Sequence, residues 1–145
     1  MNVSNYITVT FPSCSANEGF ARMAVAAFAA QLDPTLEELG DIKTAVSEAV
    51  TNAIVHAYPD TLGRVVVKAK ILEDNVLEVT VRDWGRGIED VERARQPLYT
   101  TGGEERSGMG FTIMEGFMDT LRVTSKEGQG TKVVMRRRIV RRGKR

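Results

Sequence analysis

The stretch SEAVTNAIVHA, residues 47–57, is small and apolar apart from a stripe of three polar residues, Glu48, Asn52 and His56, that recur every four positions. On a helix each is turned about 40° from the last. The stripe therefore runs along the edge of a broad apolar face made by Val46, Ala49, Val50, Ala53, Ile54 and Ala57. A solvated face would more usually carry Lys and Arg. This one offers an acceptor-only carboxylate, an amide that both donates and accepts, and an imidazole. Glu48 has the chemistry to orient or deprotonate a nucleophile. Asn52 has the hard oxygen that suits Mg²⁺, which takes few protein ligands beside substrate phosphates. Taken alone, the stripe reads more economically as structural, and His56 keeps that reading at the end of the helix.

Three further groups lie downstream. In RDWGRGIED, residues 82–90, Asp83 ends an apolar strand, where its carboxylate can accept a hydrogen bond from a buried ligand. Gly85 and Gly87 then allow a tight backbone path. The competing reading is a common Asp-x-Gly turn. In TTGGEERSGMGFTIM, residues 100–114, Thr100 and Thr101 supply hydroxyls and Arg106 a cation. Gly108 and Gly110 open a helix there, and exposed amides at the positive end of a helix favour an anion. In GQGTKV, residues 128–133, Thr131 follows a turn and can point a hydroxyl into the same cavity. No G-x-x-x-x-G-K-[ST] occurs, so this is not a Walker loop. Neither GxG lies in the strand–turn–helix unit of a dinucleotide fold.

These residues need a scaffold. NYITVTFP alternates and stops at Pro12, which predicts a strand over 5–11. Ser15 and Asn17 offer cap oxygens for a helix over 17–32, with Phe20, Ala24, Ala27 and Phe28 on one face. That helix is apolar nearly all round, so part of its surface is expected to meet a partner. A second helix follows the cap at DPT and runs over 35–57. RVVVKAKILED and NVLEVTVRD form a hairpin turning at Asp74-Asn75, and DTLRVTSKEGQGTKVVMRRRIV a second one turning at EGQG. Between them, residues 84–110 carry six glycines, one helical turn at DVERAR and no sustained periodicity, as functional or mobile loops do. GFTIMEGFM is a short helix. The expected fold is an α+β two-layer sandwich with a mixed, mostly antiparallel sheet and helices on one face. The other face is left to solvent or a partner.

In this order, E-x-x-x-N on a helix, D-x-G-x-G after a strand, G-x-G before a helix and G-T on the next hairpin resemble the GHKL nucleotide-binding superfamily, with its Bergerat-type ATP-binding fold. There is no room for the separate phosphoacceptor domain of a histidine kinase, nor for the transducer domain of gyrase-type or Hsp90-type ATPases. FARMAVAAFAAQLDPTLEELGDIKTAVSEAVTNAIVHAY and QPLYTTGGEERSGMGFTIMEGFMD look like the bacterial anti-sigma-factor serine kinases, and their sporulation branch in particular. The resemblance implies a homodimer that inhibits a sigma factor, binds ATP or ADP with Mg²⁺, and phosphorylates a serine on an anti-anti-sigma protein. It gives Asp83 the adenine amino group, with Gly87 and Ile88 beside the base, Gly85 among the ATP-binding residues and Thr131 on the adenine side. Asn52 would hold Mg²⁺, and Glu48 would act on the serine hydroxyl. Thr100, Thr101, Arg106, Ser107, Gly108, Met109 and Gly110 would form the lid and phosphate cradle, and Arg22 would touch a partner. His56-Ala57 stands where that family more usually has His-Gly. Stress-response relatives share the site, and a nucleotide-gated binder without kinase activity is the alternative class.

Bulk properties agree with one soluble domain. The chain has 145 residues, 42% hydrophobic and 27% charged, enough for a real core. One cysteine, Cys14, cannot form an internal disulfide, which points to a reducing, cytoplasmic setting. The longest apolar run, MAVAAFAA, is too short to span a membrane, and the first residues do not read as a signal peptide. The net charge of +1 conceals a basic tail, 136–145, with seven of the 20 Lys and Arg and no acid; residues 1–135 keep 13 basic against 19 acidic. The domain is expected over 1–135, with the tail as a solubilising end and nucleic acid disfavoured as partner.

Overall fold

Alternation along the two central strands decides which face is buried. In β2 (Arg64–Leu72), Val65, Val67, Ala69 and Ile71 point one way; in β3 (Val76–Asp83), Leu77, Val79, Val81 and Asp83 point the same way. The computed structural model describes residues 2–95 and 110–140. It joins these strands, as expected, through a turn at Asp74 and Asn75, whose φ angles of 63° and 60° lie where Asp and Asn are better tolerated than most residues. With β1 (Val3–Pro12), β4 (Thr120–Lys126) and β5 (Gly130–Arg138), they make a five-stranded sheet in the order β1-β2-β3-β5-β4. Every pairing among the described strands is antiparallel. This is the expected α+β sandwich, with no parallel pair in it.

Helices α1 (Asn17–Ala29), α2 (Leu36–Thr51) and α4 (Gly110–Phe117) cover the apolar face; α3 (Val91–Ala94) is the single turn expected at DVERAR. Thr35 starts α2 with a reciprocal cap: its hydroxyl oxygen accepts from Glu38 N–H at 3.0 Å, and Glu38 Oε1 accepts from Thr35 N–H at 2.9 Å. The core lies between α2 and the sheet, with Ile42, Ala45, Val46 and Val50 wholly buried against strand residues such as Val67 and Val79.

One expectation needs correction. Neither Ser15 nor Asn17 caps α1 with its side chain; Asn17 Nδ2 instead donates to the Pro12 carbonyl at 3.1 Å. The buried residues of α1 are Ala21, Val25, Ala26, Phe28 and Ala29, while Phe20 is 62% and Met23 53% exposed, so part of its apolar surface stays outside the core. A helix apolar nearly all round cannot reveal its core side from composition. β5 continues through Arg138, within the hairpin expected over DTLRVTSKEGQGTKVVMRRRIV, and Ile139 is buried. Arg136 reaches Glu78 at 2.8 Å and Arg137 reaches Asp41 at 2.9 Å, so these two arginines are sheet residues held by acids.

Candidate functional site

The sheet register assembles one corner of the site. Asp83 lies opposite Thr131, and Thr131 opposite Ser125, so three side chains from β3, β5 and β4 stand in a row on the helix-covered face. Asp83 is 5% exposed. Its Oδ1 accepts from Gly85 N–H at 3.0 Å and Thr131 N–H at 3.2 Å, which fixes the carboxylate at the cavity wall. Burial raises the Asp83 carboxyl above its ordinary value of 3.8, against the lowering pull of those two N–H groups and of Arg82. The Thr131 and Ser125 hydroxyls are 2.8 Å apart, and Ser125 Oγ accepts from Ile88 N–H at 2.7 Å. Gly87 takes φ 76°, and a Cβ there would lie 2.2 Å from the Lys126 carbonyl oxygen, so this position needs glycine twice over.

A cavity of about 740 Å³ opens from this corner toward α2 and α4. Asp83, Gly87, Ile88 and Thr131 line one side, Asn52, His56 and Phe111 the other, and charges of both signs, Arg86 and Arg93 with Glu89, Asp90 and Glu127, complete the lining. The far end of α2 is not straight: Ala57 N–H donates to the Asn52 carbonyl at 3.2 Å, five residues back, so Asn52–His56 is a single wide turn. Such turns inside helices are frequent at functional sites. It breaks the uniform stripe expected from the sequence and seats His56 on the cavity wall. Gly110, the first residue of α4, lies against both stripe residues that could do chemistry: a Cβ there would be 3.2 Å from Asn52 Nδ2 and 3.6 Å from Glu48 Oε1. Glu48 also lines a second hollow of about 380 Å³, with Arg22, Met23, Lys43, Thr44 and Ser47. Arg22 is 3.5 Å from Glu18 and remains partly exposed.

Comparison with known proteins decides the family. Residues 11–137 match the histidine kinase-like ATPase domain. The anti-sigma F factor of Caldanaerobacter subterraneus subsp. tengcongensis is 58% identical over 142 residues, covering 97% of this chain and 99% of that protein. The anti-sigma F factor of Pasteuria penetrans is 59% identical, covering 93% and 91%. The chain belongs to the anti-sigma F factor family. Among solved structures, the RsbU and RsbW domains of Rv1364c from Mycobacterium tuberculosis share the fold, with TM-score 0.69 and 21% identity over 94% of this chain and 32% of that one. The histidine kinase domain of Erythrobacter litoralis EL346 blue-light activated histidine kinase gives TM-score 0.57 at 25% identity, covering 84% and 61%. Nucleotide binding belongs to this ATPase-type domain.

For an anti-sigma F family member, then, Asn52, Asp83, Gly87, Ile88 and Thr131 line the larger cavity, Gly85 donates to Asp83, and Gly110 lies against both Asn52 and Glu48, which lines the smaller hollow. Arg22 lies beside Glu48 rather than in the larger cavity. Thr100, Thr101, Arg106, Ser107, Gly108 and Met109 lie outside the described residues. Sequence reading passed over Ser125, although counting back across the EGQG turn pairs it with Thr131. It also passed over Arg86 and Arg93, which no spacing rule marked. No helix among the described residues is long and apolar enough to cross a membrane.

Proposed function

We propose that the protein binds and inhibits the sporulation sigma factor F and, as an ATP-dependent serine kinase, phosphorylates the anti-anti-sigma protein that opposes it. Near-full-length identity to proteins named anti-sigma F factor supports the first half. The observation that carries the second is the position of Glu48. It abuts the start of α4 beside Asn52, at one end of the nucleotide-sized cavity, and it lines the hollow that holds Arg22. A protein docked at Arg22 can thus present a serine to Glu48 while a nucleotide fills the other side. Exposed Phe20 and Met23 on α1 give the partner, or a second copy in a homodimer, an apolar surface beside that arginine.

The residues fit ATP and ADP. The cavity lies within the roughly 300–1,000 Å³ of small-molecule sites. Asp83 Oδ2 would accept from the adenine amino group, with Ile88 beside the base and Thr131 and Ser125 on the floor. Asn52 would offer its amide oxygen to Mg²⁺, which takes its remaining ligands from phosphates and water. When bound, Mg²⁺ neutralises phosphate charge in a transfer that depends mainly on positioning and electrostatics. Glu48 would accept the serine proton as the hydroxyl oxygen bonds to the γ-phosphorus and the bond to the β-phosphate oxygen breaks. ADP and phosphoserine are the products.

Transfer of labelled phosphate from ATP to the antagonist tests the reading. Glu48→Gln is expected to keep ATP affinity and lose about 10²–10⁴-fold in transfer rate, the usual worth of a general base. Unchanged transfer would remove Glu48 from the chemistry. Absence of transfer by the native protein, with sigma-factor binding retained, would make it a nucleotide-gated binder.

A further inference from the structure

The sheet has a second face, and its charge differs sharply from that of the whole chain. Residues alternate with those of the core, so β2, β3, β5 and β4 turn Lys68, Lys70, Arg82, Lys132, Arg136 and Arg122 away from the helices. These six line a shallow groove of about 800 Å³ in which the one acid is Glu78. That is an excess of five positive charges in a chain of net charge +1, so all other residues together carry −4. Arg136 is paired with Glu78 at 2.8 Å; among the described residues the other five basic side chains have no acid within ion-pair distance. Clustering like charges costs self-repulsion, which an oppositely charged partner relieves.

We propose that this face is a second docking surface whose occupant is an extended, acidic protein segment. The Glu78–Arg136 contact shows that the face already seats a carboxylate: Arg136 donates through Nε and lies 2.8 Å away through Nη2. Lys68 and Lys70 are alternate residues of β2, about 6.6 Å apart, as are alternate residues of an extended peptide, so acids at every second position match that pair while Arg82, Lys132 and Arg122 flank it on the neighbouring strands. Nucleic acid fits less well. Trp84, 41% exposed, is the aromatic of this groove, and Arg64 and Arg82 sit 4.0 and 4.9 Å from its ring centroid. The guanidiniums occupy the stacking platform that a single strand would use and hold their N–H edges ready for carboxylates. The surface lies on the opposite side of the sheet from Asp83 and Thr131, so docking there leaves the nucleotide site open.

The test uses the full chain and a labelled peptide of about twelve residues with Glu at alternate positions, at roughly 150 mM salt, where distant charges are screened. Anisotropy is expected to show binding to the native protein. Lys68→Glu/Arg122→Glu should weaken it about tenfold or more while ADP binding stays unchanged, which also reports an intact fold. The milder Lys68→Gln/Arg122→Gln should give a smaller loss of the same sign. Arg141→Glu/Arg142→Glu, the same charge change elsewhere, should alter binding less than about twofold. Equal weakening by both charge reversals overturns the proposal, because attraction would then be general. So does unaltered binding in the Lys68/Arg122 variants, or tighter binding of an oligodeoxythymidine of equal length.

Discussion

At the scale of residues, Asp83 joins structure to function through its two oxygens. Oδ1 is committed to the backbone of Gly85 and Thr131, and in the proposed function Oδ2 takes the adenine amino group. Asp83→Asn keeps an oxygen for the backbone and turns the ligand-facing acceptor into a donor. The variant should fold and yet bind ATP and ADP about ten- to a hundredfold more weakly, the worth of a hydrogen bond to a charged group. Calorimetric titration measures this, and native affinity would refute the adenine assignment. The raised carboxyl pKa adds a pH signature. Protonation favours the folded apoprotein, so this contribution to stability is fully present below 3.8 and is lost as pH rises through the higher folded value. Nucleotide affinity runs the other way: it needs the carboxylate and should fall as pH drops through that same range, a dependence absent from Asp83→Asn.

At the scale of elements, α2 sets the opposite wall of the cavity. Its start was legible in the sequence from the cap at DPT, and the structure adds Glu38 as the reciprocal partner of Thr35. Thr35→Ala should cost about 1 kcal/mol in urea unfolding with an unchanged slope. It should leave ADP affinity intact, since Glu48 and Asn52 lie a dozen or more residues further along. A weakened ADP site would mean that the cap also positions the stripe. Other parts of the scaffold were less legible, for physical reasons. The hairpins followed from alternation and their Asp-Asn and Gly-rich turns, and Asp83 at a strand end was marked by its own polarity. The wide turn at Asn52–His56 was not, because a change from four-residue to five-residue hydrogen bonding leaves no composition signal. Nor was the buried side of α1, where Ala, Val, Met and Phe occupy every side and only the docked helix distinguishes Phe28 from Phe20. The second hairpin's alternation carried β5 through Arg138, but the acids that hold Arg136 and Arg137, Glu78 and Asp41, lie far away in the chain and left no local signal.

At the scale of the whole molecule, the proposed nucleotide would act as a cross-link. The cavity is walled by the ends of β3 and β5, the end of α2 and the start of α4, elements far apart in sequence. A ligand that touches Asp83, Asn52 and Phe111 together binds the folded chain and has no equivalent in the unfolded one. Mass action then raises stability by about 2.7 kcal/mol at a hundred times the dissociation constant. For a domain of this size that corresponds to a rise in Tm of about 8 °C. ADP with Mg²⁺ should produce this shift in thermal unfolding of the native protein and almost none in Asp83→Asn. It should produce the full shift in Lys68→Glu/Arg122→Glu, whose changes lie across the sheet. A shift that persists in Asp83→Asn would place the nucleotide elsewhere. Loss of the shift in the sheet-face variant would mean that the two faces are coupled, so that an acidic segment on one reports to the nucleotide on the other.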